Sequence, residues 1–179
     1  SEEDRVRETV KKLLEDHRRK TEKVTEDVRR LLKENREKVE DAVDKARKLL
    51  KRLEELRREG ELSEDDLRRV IEEIKRRIDE VERRLRKHHD DIRRTLEELD
   101  RDNDETLRRI EKELKRLVDE KVDDEKLKRI EEELRKSRER TKRLLEEIRK
   151  ELEDSKKEVE DLLRRLREEL KRLKDEIER

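Results

Sequence analysis

The sequence predicts an all-α fold: a straight, antiparallel up-down-up bundle of three helices, each of nearly sixty residues. Three observations predict it. Charged residues make up 65% of the 179 and hydrophobic residues 26%, with no aromatic, no proline and one glycine. With 58 basic residues against 58 acidic ones, no bulk repulsion holds the chain open. Such a Glu-, Lys-, Arg- and Leu-rich composition reads as long helix rather than disorder. Apolar residues also recur every three or four positions nearly throughout, the period of a helix with one buried stripe. Finally, turn signals occur at only two places.

The first helix is expected over about 2–59, opened by Ser1 and Asp4 in a capping box. It stops in REGELSEDDL, Arg58 to Leu67, where Gly60 suits the left-handed residue that ends a helix. The second helix is expected over about 64–120. Ser63 is its N-cap, Asp66 stands three residues on, and Leu62 and Leu67 flank the cap as a hydrophobic staple. The second turn is KVDDEKL, Lys121 to Leu127, with Asp123 as the cap and Val122 and Leu127 as the staple. It holds no glycine, so Lys121 or a neighbour accepts the turn at some cost. The third helix follows over about 124–178, and the whole of 1–179 is expected to form one domain. At 1.5 Å per residue each helix runs ~85–90 Å.

The apolar seam runs from Val6 to Leu56, from Leu67 to Leu117 and from Leu127 to Ile177. Each seam covers 50 residues in fourteen steps, close to 3.6 per turn, which predicts nearly untwisted helices. Where two candidate residues adjoin, the seam takes the first: Leu13, Leu31, Ala42, Leu49, Val70, His88, Thr106, Leu117, Leu144 and Leu162. His89 falls on a shoulder with Ile71 and Leu107, 18 residues to either side.

Short connections make consecutive helices antiparallel, so Val6 is set level with Leu117 and Leu127. Most of the resulting layers are aliphatic. Three are polar and coincide on all three helices: His17 with Thr106 and Ser137, Thr21 with Asn103 and Thr141, and Asn35 with His88 and Ser155. A buried polar group without a partner costs about 1–3 kcal/mol, so a slip in register is penalised at several places together. Fixing register is the best-attested use of such groups.

Other chemistry is weakly supported. The adjacent His88 and His89 point ~100° apart on a helix and cannot chelate one ion together, and no His pair has the i, i+4 spacing of a helical zinc site. No metal site and no cofactor are expected. His17 beside Ser137 and Thr106 could pair a base with a nucleophile, but no loop is available to build an oxyanion hole, so no catalytic residue is assigned. Without cysteine there is no thiol chemistry. Neutral net charge and the lack of aromatics argue against nucleic acid. No apolar run reaches the ~18 residues of a membrane span and no signal peptide pattern opens the chain. A soluble protein without an address tag is expected. The seam and its flanks use nearly all 47 hydrophobic residues, which predicts a monomer needing no partner, with a domain-swapped dimer as the hazard.

Idealised caps (SEED, LSEDD, VDDEK), a Glu/Lys/Arg surface, a Leu/Ile/Val seam and matched polar layers together resemble de novo designed helical bundles. More narrowly, they resemble parametrically generated bundles with built-in hydrogen-bond networks. The likeness covers the whole chain and is one of style rather than motif. It implies a structural scaffold that uses or tests buried polar layers, with no natural biochemical function. The alternative is a pH-responsive bundle, in which buried neutral His17 and His88 resist protonation and acid weakens the fold.

Overall fold

In the computed structural model, which describes residues 1–119 and 123–179, the chain forms α1 (Glu2–Arg58), α2 (Glu64–Asp119) and α3 (Asp124–Glu178). The expected caps explain where these helices begin. Ser1 Oγ accepts the Asp4 N–H at 3.3 Å, Ser63 Oγ the Asp66 N–H at 3.1 Å, and Asp123 Oδ1 the Glu125 N–H at 3.3 Å. Each supplies an acceptor to a first-turn donor that has no partner inside its helix. α1 ends on Gly60, at φ 73°. There the Gly60 N–H donates to the Arg57 carbonyl at 3.1 Å and the Glu61 N–H to the Leu56 carbonyl at 3.0 Å. These are the paired bonds of a Schellman turn, which needs a left-handed residue at this point. The turn expected at Lys121 and the contribution of Val122 to its staple lie outside the described residues.

The three helices form a three-helix bundle, and the chain divides into two compact units, each holding a segment of all three. One unit comprises Ser1–Arg30 with Ile92–Lys150. Its aliphatic cluster is built on Val6, Val10, Ile110, Leu114, Leu117 and Ile130. The other comprises Leu31–Asp91 with Glu151–Arg179 and carries a larger cluster, including Val43, Leu53, Leu67, Ile71, Leu166 and Leu170.

Cross-helix ion pairs give the helix directions inside each unit. In the first, Lys126 meets Glu3 at 3.4 Å and Glu147 meets Arg29 at 3.8 Å, while Arg149 meets Asp100 at 3.4 Å and Arg138 meets Glu111 at 3.9 Å. In the second, Arg36 meets Glu158 and Arg47 meets Glu169, at 3.3 and 3.2 Å. Arg167 there bridges Asp79 at 2.7 Å and Glu82, and Lys174 reaches Glu72 at 3.6 Å. Partners on α1 and α3 rise together in number, whereas those on α2 fall as α3 rises. α2 is therefore antiparallel to both neighbours.

The buried stripe differs from the expected seam in one systematic way. In eight adjoining pairs the second residue faces inward, whereas Leu13 and Leu14 are both half-buried and Leu117 is buried ahead of exposed Val118. Leu32, Val43, Leu50, Ile71, Leu107, Leu145 and Leu163 are buried, while Leu31 and Leu49 remain 42% and 44% exposed. Ala42 is exposed, and Val70, Thr106, Leu144 and Leu162 are half-buried.

Candidate functional site: polar positions in the two cores

Among the described residues of the first unit, four polar side chains are buried: His17, Thr21 and Thr25 on α1, and Asn103 on α2. Thr106 of α2 and Ser137 and Thr141 of α3 are half-buried. They stand at these places because each occupies a position of the helical stripe that would otherwise hold Leu, Ile or Val. One cross-helix hydrogen bond joins them, Thr141 Oγ1 with His17 Nε2 at 3.4 Å. Thr141 lies one helical turn beyond Ser137, the α3 residue that the aligned layers set opposite His17. Thr25 Oγ1 instead donates to the carbonyl of Glu22, within its own helix, at 2.8 Å. Thr21 Oγ1 and both polar side-chain atoms of Asn103 are buried with no protein partner. Burial holds the His17 imidazole below the ordinary histidine value, and nearby Lys20 adds to the effect, because both disfavour the charged ring.

A groove of about 740 Å³ opens between α1 and α3 beside these residues. Thr21, Ser137 and Thr141 put their hydroxyl-bearing side chains on its wall, and Arg18, Arg140 and Arg143 also line it. Acidic residues, Glu15, Glu22, Glu133 and Glu147, balance the cations there, so its field favours neither sign.

In the second unit Asn35 is buried and Ser155 half-buried. The histidine assignment needs correction. His88 is exposed, and its neighbour His89 turns inward with 5% of its surface exposed. The reason is the same one-residue offset found along the stripe. His89 shares its azimuth with Ile71 and Leu107, both buried at 18-residue spacing, since eighteen residues make five straight turns. That recurrence was the available signal. Thr25 was missed in the same way, 18 residues before buried Val43. Neither His89 Nε2 nor Ser155 Oγ has a protein partner. No hydrogen bond links Asn35, Ser155 and either histidine among the described residues. His89 is also held below the ordinary value, first by burial and then by Lys156, with Glu160 acting in the opposite sense.

Among the described residues, no group of three or more His, Cys, Asp or Glu is placed to hold a metal ion. No helix among the described residues is long and apolar enough to cross a membrane.

No protein-family model matches the chain, and no curated protein matches it either. Among solved structures it is similar to one described as a "Computationally designed three helix bundle". The two are 17% identical, with 97% of this chain and 84% of that chain covered and a TM-score of 0.40.

Proposed function

We propose that this protein is a de novo designed structural scaffold, a monomeric three-helix bundle whose buried polar positions select one helix register. The observation that carries this reading is the gathering of polar side chains from all three helices in otherwise aliphatic cores. His17, Thr21, Asn103, Thr106, Ser137 and Thr141 lie in one unit, and Asn35, His89 and Ser155 in the other. An aliphatic residue would be the cheaper choice where the buried polar atoms find no protein partner, at Thr21, Asn103, His89 and Ser155. Accepting that cost on three helices makes physical sense as a penalty on slipped pairings. Idealised caps and a surface filled with helix formers support a designed origin.

Catalysis has no place in this reading. A hydroxyl beside an imidazole begins a nucleophile–base pair, but mid-helix backbone N–H groups donate to carbonyls one turn back. They are not free to stabilise an oxyanion.

The test replaces His17, Thr21, Asn103 and Thr141 together with aliphatic residues. The variant is expected to unfold at higher guanidinium concentration yet give a broadened or doubled amide NMR spectrum. A variant that is both more stable and as uniquely folded as the parent sinks the register role.

The pH-responsive alternative rests on two buried imidazoles that both resist protonation, His17 and His89. Equal guanidinium midpoints at pH 7.5 and pH 4.5 would rule it out. Collapse of the midpoint in acid would bring it to the front.

A further inference from the structure

The second unit contains a groove of about 290 Å³ that the scaffold reading does not use. Its walls come from α1 and α2, with Leu163 and Leu166 of α3 also lining it. The sequence holds two alanines in all, and both, Ala42 and Ala46, line this groove. Their short side chains leave room where the stripe elsewhere carries larger aliphatic residues. Leu49 lines it too while 44% exposed, beside the half-buried Val81. Apolar surface is therefore presented to water in a concave setting, at the lower end of the ~300–1,000 Å³ typical of small-ligand sites.

The charged residues that line it have one sign. Lys45 and Arg77 are its charged lining residues, and no carboxylate lines it. Lys45 is exposed and makes no ion pair among the described residues. Arg77 is paired to Glu73 at 3.6 Å, with both side chains largely exposed, a contact worth little and easily exchanged.

We propose that this groove binds a single-tailed amphiphilic anion, the hydrocarbon tail against Ala42, Ala46 and Val81 and the anionic head between Lys45 and Arg77. Apolar walls of this size suit a short alkyl chain, and the two cations decide the sign of the head group.

The two alanines also provide the assay. Methyl labelling of alanine gives two NMR signals, both reporting from the groove. Octanoate is expected to shift both signals saturably, and octyltrimethylammonium, with the same tail and the opposite charge, to bind much more weakly. Lys45→Glu, a surface change that leaves the fold intact, is expected to weaken octanoate roughly fivefold. Ala46→Leu fills the groove and is expected to abolish the response of the remaining Ala42 methyl, with circular dichroism confirming that the helices persist. Ala42→Leu serves if that variant does not fold. Equal binding of the two amphiphiles, a shift that never saturates, or undiminished binding in the filled variant overturns the proposal.

Discussion

His88 and His89 are neighbours in the chain, yet His89 is buried at 5% exposure while His88 faces water. One hundred degrees of helix rotation separates them, and it decides which imidazole bears the cost of burial. His89→Leu exchanges a ring with an unpartnered Nε2 for the residue type that fills the same stripe at Leu107. It is expected to stabilise the protein by about 1–3 kcal/mol in guanidinium unfolding. His88→Leu, on the exposed side, is expected to change stability by less than about 0.5 kcal/mol. Equal effects of the two would place the seam elsewhere.

Acid is expected to lower stability in a defined window. His17 and His89 both lie below the ordinary histidine value in the folded protein, so the unfolded chain binds their protons more readily. Their contribution is complete above the unfolded value of about 6.5 and is lost as pH falls from there towards the folded values. Denaturation midpoints measured from pH 8 to pH 4 check the sign. The double variant His17→Leu with His89→Leu is expected to flatten that part of the curve.

Thr141→Val removes the hydroxyl that meets His17 Nε2 at 3.4 Å and leaves the buried ring without that partner. A loss of about 1–3 kcal/mol is expected. Asn103→Leu is expected to have the opposite sign, since neither of its polar side-chain atoms has a protein partner to lose. Urea titrations of the two variants side by side distinguish a satisfied polar position from an unsatisfied one.

At the turn, Gly60→Ala tests backbone strain alone, because a Cβ there meets nothing within 4 Å while φ stays at +73°. The expected cost is about 1 kcal/mol. Ser63→Ala removes the acceptor of the Asp66 N–H and is expected to cost a similar ~1 kcal/mol. Thermal unfolding followed by circular dichroism measures both.

Helix number, order and caps were legible because each has a local cause. Gly60 and Ser63 carry their instructions within a few residues, and a 3.6-residue period persists over fifty. The inward residue of each doublet was harder to read. Leu31 and Leu32, or Leu49 and Leu50, are equally apolar, and both border the stripe. Which one turns inward depends on how neighbouring helices are rotated, a tertiary quantity absent from either residue's chemistry. Where residue types differ, as in His88 and His89, the same one-position ambiguity changes the chemistry of the core. The partner of His17 was hidden for a related reason, since a shift of one turn exchanges Ser137 for Thr141 without altering the polar pattern.

The Schellman turn at Gly60 has a kinetic consequence. It joins α1 and α2 within the unit whose core contains Leu53 and Leu67, so bringing those two together closes only a short loop. Contacts from α1 to α3, such as Arg36 with Glu158, close a separation of 122 residues. Loop-closure entropy therefore favours zippering of the α1–α2 hairpin outward from the glycine before α1 and α3 meet. Truncations at Leu53 and Leu67 are expected to slow folding. A single left-handed residue thus gives α1 and α2 an early meeting point as well as reversing the chain.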